Sequence, residues 1–261
     1  MSQSHAAKRN RTTWALVAVL VVLLLGIGLV QWQSKPKNTL PIRSADSVSV
    51  ITITRNDQEP IVLQLKEQWT ITSPVNLPAN EQRVIPLLTV YTNPDPGYAV
   101  QSVDLAATGL NDPEVTVSFD DYEVKIGQVA IDGTRRHALH GERVRFVPDW
   151  VLPFLKGGIS AIADLTIWGD GLSALKFNTS SNLALNEALL AQAKQLRAQQ
   201  YVRWPRPEKP VVLDSAKLTA TINQTESIWS LHKTDRYVAI QAPDSEYAYI
   251  IAVDEVPWLL E

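Results

Sequence analysis

The chain has 261 residues, 45% of them hydrophobic and 20% charged, with 16 Pro, 11 Gly and no Cys. This is the composition of a folded protein, and it excludes disulfides, thiolate chemistry and cysteine-based metal sites. The net charge of −3 is divided unevenly: Lys8, Arg9 and Arg11 give the first 32 residues +3 and leave −6 for the rest, a sign that repels phosphate backbones and argues against nucleic acid as a partner.

From Trp14 to Trp32 runs the uncharged stretch WALVAVLVVLLLGIGLVQW. As a helix it spans about the 30 Å of a hydrocarbon core. A Trp at each end suits the two interfaces, and the basic cluster before Trp14 predicts a cytoplasmic tail over 1–13 and a transmembrane helix over 14–32. The remainder is then expected outside a bacterial inner membrane, in the periplasm. No Ala-x-Ala-like cleavage site follows Val30-Gln31-Trp32-Gln33, so the stretch reads as an uncleaved signal anchor rather than a signal peptide. No ionisable residue lies within it, which argues against an ion or proton pathway.

Residues 33–45, with Lys35, Pro36, Lys37 and Pro41, read as a tether. A first folded unit is expected over 46–160. Ser47 to Thr54 and Ile61 to Leu65 predict a hairpin about the polar Arg55 to Glu59, and Gln68 to Thr72 extends the sheet with Trp69 and Ile71 on one face. A helix follows with Asn80 placed to cap it and Val84, Leu87, Leu88 and Tyr91 on its buried face, although Pro86 predicts a kink or a later start. After the Gly109-Leu110-Asn111-Asp112-Pro113 turn, Val115, Val117 and Phe119 alternate inward, Asp120-Asp121 reverses the chain, and Val124 and Ile126 return. Asp132-Gly133 and His140-Gly141 mark two further turns, and Val147-Pro148 leads into a short helix near Trp150.

Residues 161–261 read as a second, diverged copy of the same unit, because a series of matches recurs in fixed order. Asn76-Leu77-Pro78-Ala79-Asn80-Glu81 returns as Asn182-Leu183-Ala184-Leu185-Asn186-Glu187 before a helical pattern. Leu110, Val115, Val117 and Phe119 parallel Leu213, Leu218, Ala220 and Ile222; Val124 and Ile126 parallel Trp229 and Leu231; Val147-Pro148 parallels Val256-Pro257. The copy departs at its start, where Leu165 to Trp168 and Ala174 to Phe177 offer one hairpin and no counterpart of Trp69. The expected fold is therefore α+β: an N-terminal transmembrane helix followed by two similar lobes, each an antiparallel sheet packed with a helix.

Trp69 followed by Pro74, the Pro78-Ala79 helix start, Gly109-Leu110 with Asp112-Pro113, and Ile126-Gly127 before the last hairpin resemble the bacterial membrane-anchored family called domain of unknown function 4340. The likeness covers about Asp46 to Asp164 well and the second copy faintly. It implies an association with gliding-motility-type ABC transporter components, and it supplies no catalytic residues.

Reactive constellations are sparse. His137 and His140 are three apart, so on a strand they face opposite sides and read as decoration rather than metal ligands. Asp120-Asp121 reads as a solvated turn. No nucleophile elbow, phosphate-cradling glycine loop or His-Glu-x-x-His pattern is present, so neither enzyme activity nor a cofactor is expected. Tyr201-Val202-Arg203-Trp204-Pro205-Arg206-Pro207 interleaves aromatics with Arg; its prolines suit an edge strand, and Tyr201, Arg203, Trp204 and Arg206 are the residue types that dominate protein interfaces. The expected role is a non-catalytic binding or scaffold component of an envelope complex, with the bilayer, other envelope proteins and ABC transporter components as partners. An extracytoplasmic hydrolase of glycan or peptide, or a ligand sensor with a pocket between the lobes, stays open.

Overall fold

The computed structural model describes residues 44–93, 95–177, 186–205 and 212–259. Its dominant elements are two antiparallel sheets of nine and six strands. The first is built from β1 (Val50–Arg55), β2 (Gln58–Leu65), β3 (Trp69–Ser73), β4 (Leu77–Pro78), β5 (Tyr98–Ala99), β6 (Val115–Phe119), β7 (Tyr122–Val129), β8 (Arg135–His140) and β9 (Arg143–Pro148). Its spatial order is β4-β3-β2-β1-β6-β7-β8-β9-β5. The second contains β10 (Leu172–Phe177), β11 (Gln200–Arg203), β12 (Asp214–Ile222), β13 (Thr225–Lys233), β14 (Tyr237–Gln241) and β15 (Tyr247–Ala252), in the order β10-β12-β13-β14-β15-β11. Among the described residues the α-helices are few and short: α1 (Glu81–Tyr91), α2 (Val151–Lys156), α3 (Ile159–Ile162) and α4 (Glu187–Gln195).

These observations correct the expected architecture. The protein is mostly antiparallel β rather than α+β, and its sheets do not form separate lobes, because one connected apolar cluster runs from Val48 to Leu259 and includes Ile51, Phe119 and Leu155 as well as Trp168, Trp229 and Ile251. No helix among the described residues is long and apolar enough to cross a membrane. The expected span over 14–32 lies outside the described residues.

Strand alternation accounts for most of the first sheet. Ile51 and Ile53 on β1 stand opposite Leu63 and Ile61 on β2 and opposite Phe119 and Val117 on β6, and all six side chains are fully buried. α1 continues through Pro86. The carbonyl that proline leaves without an amide belongs to Gln82, which is exposed, so water can satisfy it. Asn80 makes no side-chain cap; its backbone N–H instead donates to Ile162 O at 2.8 Å. The corresponding Asn186 does cap α4, accepting from Leu189 N at 2.9 Å.

The six-strand order of the second sheet repeats β1-β6-β7-β8-β9-β5 of the first, again with antiparallel neighbours throughout. The register revises the expected residue matches. Trp229 stands opposite Leu218 as Ile126 stands opposite Val115, so Trp229 is the counterpart of Ile126, not of Val124. Leu213 is no counterpart of Leu110: it is 61% exposed where Leu110 is 1% exposed. Leu165 to Trp168 forms no hairpin with β10 and turns instead to residues 196–198, where Ala198 N donates to Leu165 O at 2.9 Å and Ile167 N to Leu196 O at 3.1 Å.

Two features of the first sheet were not legible locally. The Asp120 carboxylate accepts from Val50 N at 2.9 Å and from Ser49 Oγ at 2.8 Å, so a residue expected to be a solvated turn fixes the start of β1. Where the 104–110 loop crosses β7, Gly109 lies against Gln128 and Gly127 against Thr108 and Leu110, and Gln128 N donates to Thr108 O at 2.8 Å. A Cβ on Gly127 would lie 2.3 Å from Thr108 O and 2.9 Å from Leu110 Cδ2. Gly127→Ala is therefore expected to destabilise the chain by about 1–3 kcal/mol through overpacking. Thermal unfolding of the full chain in mild detergent measures it, and an unchanged midpoint contradicts this contact.

Candidate functional site

The most exposed large apolar side chain among the described residues is Ile131, at 109%. It sits on the turn joining β7 to β8. Val129, at the end of β7, and Trp150, just beyond β9, are also exposed, at 42% and 43%. The three lie at one end of the first sheet, because Val129 pairs with Arg136, Arg136 with Val147, and Asp149 N donates across to Thr134 O at 3.0 Å. Three apolar groups of this size held in water at one sheet end are candidates for a contact surface.

The turn that carries Ile131 is locked. Ala130 N donates to Arg135 O at 2.7 Å and Gly133 N to Ala130 O at 3.0 Å. Asp132 Oδ1 accepts from Thr134 N at 2.9 Å and Arg135 N at 3.1 Å, while its Oδ2 accepts from Arg135 Nε at 2.7 Å. Gly133 takes a φ of +69° with open space where a Cβ would stand, which is the conformational demand that places glycine there. The Arg135 guanidinium lies 4.5 Å over the Phe146 ring. On the neighbouring strand, Arg136 Nε is 2.7 Å from Asp149 Oδ1. Both arginines are thus answered inside the chain, and beside the exposed Asp132, Thr134 and Arg135 the turn presents Ile131 as its one large apolar side chain.

Electrostatics around the turn follow from these contacts. The Thr134 amide, then the Arg135 guanidinium, hold the Asp132 carboxyl down at about 2. Burial lowers His137, whose ring packs 5.1 Å from Phe146, against a smaller opposing pull from Asp132. His140 points to the other side of β8, is 5% exposed and meets the Tyr122 hydroxyl, so the two histidines do not converge. Among the described residues no group of three or more His, Cys, Asp or Glu is placed to hold a metal ion.

The expected interface residues are distributed differently. β11 is the edge of the second sheet, but Tyr201 and Trp204 are 6% and 8% exposed. Tyr201 packs against Tyr249 at 4.7 Å and stacks on Tyr247 at 5.5 Å, and burial raises its pKa. Trp204 folds back onto His232 at 5.6 Å. The outer edge at Tyr201 is closed by Ser160 of α3, whose Oγ accepts from Tyr201 N at 2.9 Å and donates to Tyr201 O at 3.2 Å. Arg203 is exposed and bound to Glu246 at 2.5 Å. Arg206 lies outside the described residues. Sequence reasoning missed Ile131, whose signal was an aliphatic residue stranded beside the Asp132-Gly133 turn, where turn chemistry favours polar side chains.

A cleft of about 660 Å³ opens between the sheets, lined by Asp164, Thr166, Trp168, Asp170, Lys194 and Arg197 among others. Its central carboxylate is already engaged: Asp164 Oδ1 accepts from Arg197 Nη2 at 2.9 Å and from Thr166 Oγ1 at 2.8 Å. Burial raises the Asp164 pKa, but these donors outweigh it and leave the group below its usual range. Trp168 and Tyr249 are each only 5% exposed. The cleft lining is more polar than apolar, unlike the deep apolar pocket a small-molecule sensor would need, and among the described residues the buried Trp168 Nε1 has no hydrogen-bond partner.

The Asp132 contacts imply a pH dependence confined to strong acid. A folded-state pKa below the usual carboxylate value of about 3.9 means the turn is fully stabilised above that pH. The stabilisation is lost as pH falls through about 2. A side-chain carbon NMR titration should place the Asp132 midpoint near 2. In Asp132→Ala the Thr134 and Arg135 amides should exchange faster; unchanged exchange contradicts the locked turn.

No known protein family matches the chain, and neither the curated proteins nor the solved structures contain a match to it.

Proposed function

We propose that the chain is a non-catalytic binding component of a bacterial envelope complex, held at the inner membrane by its apolar 14–32 segment, and that the β7–β8 turn is the part its partner grips. The observation that carries the reading is the pre-ordered presentation of Ile131, with Val129 and Trp150 beside it at the sheet end. A turn fixed before binding loses little conformational entropy on association, so the apolar area it contributes is realised more fully as affinity.

Geometry supports a protein rather than the same bilayer as the partner. The chain enters the sheet at Ser49 and Val50, beside Asp120. β7 runs from Tyr122 to Val129, so the Ile131 turn lies roughly 25 Å from that start at 3.4 Å per residue. With an anchor N-terminal to β1, that distance is compatible with a turn that faces away from the bilayer. Its local charge is neutralised by Asp132 and Asp149, which suits an apolar pocket with a polar rim on another protein. ABC transporter components are candidate partners on the family resemblance alone.

Burying a fully exposed Ile is worth roughly 1.5–3 kcal/mol, so Ile131→Asp should weaken partner binding at least about tenfold. A photoreactive side chain at Thr134 of the full chain, activated in intact membranes, should give one discrete adduct that Ile131→Asp abolishes. The same probe at Asp121, at the opposite end of β7, should not give that adduct. Adducts that ignore Ile131→Asp, or that arise equally from both positions, would remove the turn as the contact point.

A further inference from the structure

The cleft beside the Asp164 to Asp170 segment has walls from both sheets. Pro78 ends β4 of the first, Tyr249 lies on β15 of the second, and Lys194 and Arg197 come from the end of α4 and just beyond it. Its volume of about 660 Å³ falls inside the range of roughly 300–1,000 Å³ usual for small-ligand sites. A polar lining at that size excludes an apolar occupant and suits a charged one.

Four charged side chains among the described residues line the cleft, and two of them cancel, because Arg197 Nη2 donates to Asp164 Oδ1 at 2.9 Å. Lys194 and Asp170 are left over. Among the described residues neither side chain has an ion pair or hydrogen bond, and the two do not reach each other. Such charges on an open surface are ordinarily answered by water. Here the Lys194 stem is half-buried at the last turn of α4, and a third unanswered group stands in the same wall. Trp168 Nε1 is buried without an acceptor, in a ring that is 5% exposed and held edge-on against Trp229 at 6.0 Å. Shielded from water, that N–H has no solvent to replace the missing partner, so leaving it bare is costly.

We propose that the cleft binds a small zwitterion of the amino-acid class, a free amino acid or a short peptide. One unpaired cation and one unpaired anion on the same cleft call for a ligand that carries both charges and adds no net charge. The ligand carboxylate goes to Lys194 and its ammonium to Asp170, and an oxygen pressed against the indole gives Trp168 Nε1 its acceptor. A simple anion would face Asp164 and Asp170, and a simple cation would face Lys194 and Arg197. Because the walls belong to both sheets, an occupant bridges them and raises the midpoint of thermal unfolding.

Calorimetric titration of the full chain in mild detergent with alanine, phenylalanine, dialanine and alanylphenylalanine provides the test. At least one should bind. Its N-acetyl and C-terminal amide derivatives, each missing one charge, should bind at least about tenfold more weakly, a charge-assisted hydrogen bond being lost. Lys194→Met should make the chain indifferent to amidation and Asp170→Asn to N-acetylation, with the unfolding midpoint of the ligand-free chain unchanged in both. The Trp168 indole N–H resonance should move downfield as the ligand saturates. Tighter binding of the dipeptides identifies short peptides as the ligand; equal or tighter binding of the free amino acids identifies those. Three outcomes would overturn the proposal: no binding of any of the four at millimolar concentration, binding that ignores both substitutions, or an indole resonance unmoved at saturation.

Discussion

The stretch from Ile162 to Trp168 is what makes two sheets one body. Its backbone is shared between them: Ile162 O accepts from Asn80 N and Asp164 N donates to Pro78 O on one side, while Leu165 O accepts from Ala198 N and Ile167 N donates to Leu196 O on the other. Both sides are flanks of a helix, the start of α1 and the end of α4. The Asp164–Arg197 pair and Thr166 pin the middle of the stretch. Ile162, Leu165, Ile167 and Trp168 then carry the apolar cluster across, so that side-chain burial and backbone bonding join the sheets at the same place. Because a buried backbone group without a partner is costly, neither sheet can draw away without exposing amides that the stretch now satisfies.

That seam explains where sequence reasoning succeeded and where it failed. Strands whose inward residues alternate, such as Val115-Val117-Phe119 and the β1–β2 hairpin, are legible because a period of two is a local property. The direction taken by Leu165 to Trp168 is not, since the same apolar residues suit a hairpin with β10 or a bridge to the residues after α4, and only the long-range partner decides. Asp120 fails for the same reason: a turn aspartate looks alike whether its carboxylate faces water or the amide of a strand some 70 residues earlier. The repeat is traceable in order but not in register, because two-residue turns at Asp120-Asp121 and Asn223-Gln224 keep the two hairpins in step, which puts Trp229 in the place of Ile126 rather than Val124.

The interface residues show a further limit of composition. Tyr and Trp interleaved with Arg describe an adhesive edge and a covered one equally well, since the same large rings dominate interfaces and cores. Here Tyr201 completes a cluster with Tyr247 and Tyr249, and Trp204 lids a small apolar group that includes Ala239, Ala248 and Ile250. Ile131 is the converse case. An aliphatic residue beside a tight turn has no local reason to be there, and its exposure is informative because nothing in the turn's own hydrogen bonding requires it.

The charge distribution sets the physical character of the candidate contact. The residues after the first 32 carry −6, yet the Ile131 turn is locally neutral through Arg135–Asp132 and Arg136–Asp149. Attraction there therefore owes little to long-range steering, which decays over a Debye length of roughly 8 Å at physiological ionic strength. Affinity has to come from apolar burial at the turn, which is short-ranged and weak over so few residues. Such a contact becomes effective when the partners are already confined together, because tethering raises their effective concentration without adding a single new contact. The proposed address at the envelope would supply that confinement, so the modest size of the contact and the proposed role belong to the same physical account.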